Sequence, residues 1–431
     1  RSVDCHHLVR DQARAVRDGS VTAESLVRGT REAIDREESR LRAWVALAGD
    51  LDEQLHAVSN SDTPGPLSGI SIGVKDLVDV RGLPTRAGTT ITTDAVKRRD
   101  ASIVRRLRDL GAVIQGKTVT TEFGYFAPGP TRNPHADDHT PGGSSSGSAA
   151  AVGAGTVPIA IGTQTAGSLT RPASFCGAAG LVLSTGTVDL EGVAGLSESL
   201  DTLGILARTV DDLSYVHDAM TGRAGGTSNP VTSISVWFGS SLGPVEPEMN
   251  ALLRRIPDLV GRLGLTASEL EWDDHVRTLA EDHATVMAHE AARTLRDVHD
   301  RAGDALSAPL RTLVADGRRV SETTRDDAVV RSARSRALLG DILGEHSVIV
   351  GPAALGPAPE GLGATGSPVL SRPWQLLGLP VVVVPGARTA AGLPLGIQLI
   401  GPVGGESVLL DIGARLEPLL RALPPVTPDP A

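Results

Sequence analysis

The sequence predicts an α/β protein with a mostly parallel β-sheet and helices on both of its faces. Three observations predict it. Short, β-branched apolar runs bounded by glycine or proline recur at TVPIAIG (156–162), SISVWFG (233–239), SVIVGPA (347–353), PVVVVPG (380–386) and LGIQLIGP (395–402). Runs of this kind suit strands buried on both faces. Charged segments of helical period separate them, the longest at about 275–345, and alternation of strand and helix builds a parallel sheet. No internal repeat and no shift in composition divides the 431 residues.

The elements follow in chain order. Residues 6–18 and 22–38 read as two helices, with Gly19 after the first and Thr22 as the N-cap of the second. SGISIGV (68–74) alternates small and apolar residues as a strand does and ends at Lys75. ASIVRRLRDLG is a helix stopped by Gly111, and GAVIQGKT is the strand after it. The Gly/Ser run GGSSSGSAAAVGAG (142–155) has linker composition. It leads, however, into an alanine-rich helix and then the strand TVPIAIG, which linkers do not do. The proline-rich tail after Leu423 is expected to be loose.

Composition narrows the function. Net charge is −10 and no basic block stands out, so a nucleic-acid partner is not expected. The locally basic 96–107 reads as a helix with one solvated face. Aromatic residues make up 2% of the chain, too few for a base-stacking surface. Two cysteines, Cys5 and Cys176, make neither a disulfide framework nor a metal site, and no histidine has metal-ligand spacing. No metal and no cofactor is expected. No run of 18 apolar residues suggests a membrane span, and RSVDCHHLVRD lacks a signal-peptide core. The expectation is a cytoplasmic protein, with a leader removed before Arg1 left open.

Chemistry concentrates at three places. Lys75 ends a strand in GVKDLVD, Ser144 follows Gly142-Gly143, and Ser168 lies in TQTAGSLTRP. The serines are 24 residues apart, room for a helix, a strand and a tight turn that return one hydroxyl to the other. A serine hydroxyl is a weak nucleophile until a base takes its proton. Neither serine motif holds a histidine, so a Ser-His-Asp arrangement has no local support. A lysine serves as the base once burial strips its charge. Asp76 follows Lys75, but successive strand residues point opposite ways, so it need not contact the ammonium. The backbone N–H groups of Thr165, Ala166, Gly167 and Ser168 are candidates for holding a developing oxyanion. Gly143-Ser-Ser-Ser-Gly147 also fits G-x-S-x-G, but that elbow follows a strand, and the polar, proline-broken TRNPHADDHTPG precedes it here.

These pieces resemble the amidase signature family. The resemblance rests on GVKDLVDVRGLPTRAGT (73–89), GAVIQGKTVTTEFGY (111–125), the block 131–181 around PGGSSSGS and GTQTAGSLTRPASFCG, SLDTLGILARTVDDL (199–213), and RPWQLLGLPVVVVPG within 372–402. It implies a single domain over 1–431 around a mixed sheet. The signature core would lie at about 68–213, a variable helical region at about 215–345 and C-terminal strands at about 347–402. It implies Ser168 as nucleophile, Ser144 as bridging serine after a cis peptide bond, and Lys75 as base. Gly143, Thr163, Gln164 and Arg171 would support them. Tyr125, His135 and Trp374 are pocket candidates, with core packing as the competing reading for the aromatic pair. Several positions depart from the family pattern. Gln164 stands for an acid, Ala166 for a glycine, His135 for a tryptophan, and the arginine is displaced by one to Arg171.

The resemblance implies a stand-alone amidase acting on a small or medium carboxamide through an acyl-enzyme, with a homodimer compatible with it. Two alternatives stay open: an amide-forming acyl transferase, and a glutaminase-type amidotransferase subunit working with a partner. A catalytically silent scaffold of the same fold is a fourth reading.

Overall fold

The computed structural model describes residues 3–223 and 230–429. Eleven strands form one sheet: β1 (Trp44–Leu47), β2 (Ser71–Lys75), β3 (Val113–Thr118), β4 (Ile159–Gln164), β5 (Ala179–Val182), β6 (Thr202–Ala207), β7 (Ser233–Val236), β8 (Thr266–Glu269), β9 (Ser347–Pro352), β10 (Val381–Arg388) and β11 (Pro394–Ile400). Their order across the sheet is β1-β3-β2-β4-β6-β5-β10-β11-β9-β7-β8. Helices flank the sheet, and its branched side chains make the main core, from Ile72, Ile114 and Ile161 to Val382 and Ile397.

The sheet is mixed, but it is not mostly parallel. Four of its pairings, β2 with β3 and β4, and β7 with β8 and β9, are parallel. Six are antiparallel. For β10 and β11 the reason lies in the connection: the tight turn at Gly392 joins them, and parallel neighbours need long crossovers that so short a connection excludes. β5 and β6 pair antiparallel across the longer loop that holds Ser197 and Asp201.

The two N-terminal helices are Val9–Arg17 and Ala23–Leu41, and Thr22 caps the second by accepting from the Ser25 amide at 3.1 Å. The Gly/Ser run is no linker. Ser146–Gly153 is a helix whose residues are buried through Val152, because its side chains are small enough to lie against the sheet. A Cβ on Gly147 would collide with the backbone of Ala43 and Val119. The tail is not loose at Val426, whose amide donates to Arg388 O at 2.8 Å, and Asp429 pairs with Arg254. Backbone pairing with the end of β10 outweighs what its proline content suggests. Among the described residues no helix is long and apolar enough to cross a membrane.

The topology has one consequence for function. β2 and β4 are parallel neighbours in register Val74↔Ile161, so their C-terminal ends, Lys75 and Gly162-Thr163, lie side by side. Loops beyond the carboxyl ends of parallel strands are where α/β sheets build sites.

Candidate active site

Lys75 is wholly buried at the end of β2. Its Nζ lies 2.6 Å from Ser144 Oγ, 2.6 Å from Thr163 Oγ1 and 3.0 Å from Ser145 Oγ. No carboxylate among the described residues pairs with it. Asp76 turns to the opposite side and pairs with Lys117 at 2.9 Å. Burial therefore pushes the Lys75 amine well below the usual lysine value; nearby Asp201 opposes the shift and Arg171 adds to it. Glycine at 162 makes the cluster possible, since a Cβ there would stand 2.9 Å from Ser145 Oγ.

Ser144 reaches the amine through the Gly143–Ser144 peptide bond, which is cis. Arg171 Nη2 donates to Gly143 O at 2.6 Å and its Nε to Thr365 O at 2.6 Å, tying two loops together. The next amide, Ser145 N, donates to Ser168 O at 3.0 Å and so holds the Gly/Ser loop against the loop after β4. Ser144 and Ser168 line the same small cavity, with about 20 Å³ of free space, little more than a water molecule needs. No hydrogen bond joins the two hydroxyls in the structure, and Ser168 Oγ has no partner among the described residues.

Thr165, Ala166 and Gly167 line the same cavity. The amide N–H groups of residues 165–168 have no acceptor among the described residues, leaving a row of free donors beside Ser168. Gln164 turns away from the cavity. Its Oε1 accepts from the amides of Leu169 and Thr170, both at 2.9 Å, and starts the helix Thr170–Cys176. A neutral amide thus does the capping, and its Nε2 donates to Gln375 Oε1 at 3.3 Å.

Of the three pocket candidates, Tyr125 lines the cavity and the other two do not. His135 instead places Nε2 2.9 Å from Cys176 O, under the end of that helix. Trp374 is fully buried and packs edge-on to Trp237 with ring centroids 5.0 Å apart. Its site is core, because an indole that large is held where aromatic partners exist. Trp374→Ala is expected to cost about 3–5 kcal/mol of stability while leaving the cavity lining chemically intact. Chemical denaturation paired with activity per folded molecule checks this.

Four contributors escaped the sequence reading. Ser145 is the third hydroxyl on Lys75. Asp201 accepts from Thr165 Oγ1 at 2.6 Å and from the amides of Leu196 and Ser197, fixing the loop that carries the free donors. His283 places Nε2 2.7 Å from Thr165 O, and burial, reinforced by Arg372, pushes its pKa down to about 3. The neutral ring must therefore carry its proton on Nε2 to donate to that carbonyl. Met287 lines the cavity one turn later. His283, Met287 and Glu290 share one face of the helix Asp273–Thr294, an i, i+4, i+7 pattern that was the available signal. A larger cavity of about 410 Å³, lined by Arg106, His217 and Glu406, has no nucleophile beside a buried base.

A family model described as Amidase matches residues 30–410. The chain belongs to the amidase family. A Mycobacterium tuberculosis protein named "Putative amidase AmiA2" is 34% identical over 441 residues, covering 92% of this chain and 90% of the relative. A glutamyl-tRNA(Gln) amidotransferase subunit of Exiguobacterium sibiricum is 31% identical over 462 residues, covering 94% of this chain and 95% of its own length. A crystal structure of an amidase superposes with TM-score 0.87 at 28% identity over 96% of this chain and all of that one. This amidase is thus an enzyme acting on C–N bonds, with relatives named as amidases and as an amidotransferase subunit.

Proposed function

We propose that this amidase works alone, hydrolysing a small carboxamide by way of an acyl-enzyme on Ser168, with the whole chain acting as one domain. The observation that carries the reading is the buried Lys75 amine ringed by three hydroxyls and no carboxylate. A neutral amine offers two N–H donors and one lone pair. Ser145 Oγ already donates to Thr163 O at 3.2 Å, so it accepts from Lys75. With Thr163 accepting the second hydrogen, the lone pair is left for the hydroxyl of Ser144.

The reaction then runs in balanced steps. Ser168 Oγ attacks the carboxamide carbon while its proton moves to Ser144 and the Ser144 proton to Lys75. The amides of residues 165–168 receive the negative charge that develops on the carbonyl oxygen. The proton returns along the same route to the leaving amine as the C–N bond breaks. Water repeats the sequence on the acyl-enzyme and releases the acid. Phe126 and Met287 line the small cavity, so a substrate reaching Ser168 meets these side chains.

A fluorophosphonate probe tests the reading. Intact-protein mass should rise by one adduct, and peptide mapping should place it on Ser168. Absence of an adduct in folded protein sinks the proposal. The likeness to an amidotransferase subunit supports a second reading, in which glutamine is the substrate and a partner chain receives ammonia. Glutaminase activity that appears only with a co-purified partner would favour it.

A further inference from the structure

The cavity beside Ser168 contains two guanidinium groups without an acid. Arg171, 4% exposed, lines it, and its Nη1 has no hydrogen-bond partner. That nitrogen lies 3.0 Å from where a Cβ on Gly167 would stand. Arg372 lines the same cavity from the opposite part of the sequence; its Nε is buried without a partner. Neither arginine takes part in an ion pair among the described residues. Asp201 does not serve as their counter-charge, since its oxygens are engaged by Thr165 Oγ1, Leu196 N and Ser197 N. Tyr125, beside Arg372, carries no charge at neutral pH.

A buried cation without a partner is costly, and two that repel each other more so. Burial first, and Arg372 second, lower the Arg171 pKa to about 9. A planar fork of N–H donors is built to take a carboxylate. The other polar edges of the cavity are Tyr125, Thr365, whose buried hydroxyl also lacks a partner, and the hydroxyls and amides assigned to the reaction.

Resting on the reading of Ser168 as nucleophile, we propose that the substrate is a small amide bearing a carboxylate, held by the unpartnered N–H groups of Arg171 and Arg372. The carboxylate sets specificity by supplying the charge the cavity lacks. Arg171 has a structural duty to Gly143 and Thr365 as well, so Arg372, whose guanidinium makes no hydrogen bond to another described residue, is the discriminating position.

Calorimetry on Ser168→Ala protein isolates binding from turnover. Two matched pairs separate a carboxylate in the acyl half from one in the amine half: succinamate against butyramide, and N-acetylglycine against N-propylacetamide. At least one carboxylate should bind ten times or more tighter than its neutral partner, a gap of about 1.4 kcal/mol. Adding Arg372→Gln should shrink that gap at least tenfold, and Arg372→Lys should restore part of it. Equal affinity in both pairs, no measurable binding of either carboxylate, or a gap that survives Arg372→Gln overturns the proposal. Wild-type hydrolysis of butyramide at the rate of succinamate would leave the nucleophile reading standing and the anion site refuted. Tight succinamate binding to Ser168→Ala with no fluorophosphonate adduct on wild type would do the reverse.

Discussion

Lys75→Met is expected to abolish amide hydrolysis and to make the protein's stability depend less on pH. The loss follows from the base role, since methionine has no lone pair to accept the Ser144 proton. The expected fall in kcat is roughly 10⁴-fold or more, the size seen when one member of a cooperating catalytic set is removed. The stability result follows from the pKa. The native amine is held well below the usual lysine value by burial, while the unfolded chain carries an ordinary lysine. Between the lowered folded value and the ordinary unfolded one, the unfolded state binds a proton that the folded state does not, and this favours unfolding. Stability from this group is fully present above the unfolded value and declines as pH falls toward the folded one. Methionine fills similar space without that cost, so its thermal midpoint should depend less on pH between 7 and 10. Activity should follow the same titration, falling as pH drops and Lys75 gains a proton. A variant retaining near wild-type turnover, or an active enzyme whose rate does not fall at acid pH, contradicts the assignment.

The second large effect belongs to Ser168. Ser168→Ala should lower kcat by roughly 10⁴–10⁶-fold and erase fluorophosphonate labelling. Stability should change by no more than about 0.5 kcal/mol, because Ser168 Oγ makes no hydrogen bond within the described residues. Ser145→Ala provides the contrast. It removes a hydroxyl that accepts from Lys75 and from Thr163 N and donates to Thr163 O, so the fold should weaken while some turnover survives. If Ser145→Ala were as inactive as Ser168→Ala at full stability, the assignment of nucleophile and support would need to be exchanged. Steady-state kinetics alongside thermal unfolding separates the cases.

What the sequence revealed and what it withheld divide along local and long-range lines. The runs that became β4, β9, β10 and β11 were legible because they are apolar, branched and bounded by glycine or proline. β1 and β8 were not, since WVAL is four half-buried residues and TASE is a polar edge. β5 and β6 carry glycine among few branched residues, which blurs their pattern. At the site, Lys75, Ser144, Ser168 and Thr163 stood out by motif. Ser145 lay hidden among three consecutive serines, and only its position after the Gly143–Ser144 bond shows which hydroxyl faces the amine. For Trp374 and His135 the sequence left pocket and packing both open, because an aromatic near a motif gives no sign of which way it packs; neither lines the cavity.

By itself the sequence determined the chemistry available to this protein: two serines and a lysine at strand and helix ends, glycines where the chain must come close, and no metal-ligand pattern. Such features are local, written in residue type and spacing. Tertiary structure alone decided the sense of each strand, the burial that lowers the Lys75 pKa, and the meeting of Arg171 with Arg372. The physical reason is that direction, burial and counter-charge depend on what lies across the fold. A lysine is a base only where no carboxylate reaches it, and an arginine calls for an anion only where the chain supplies none.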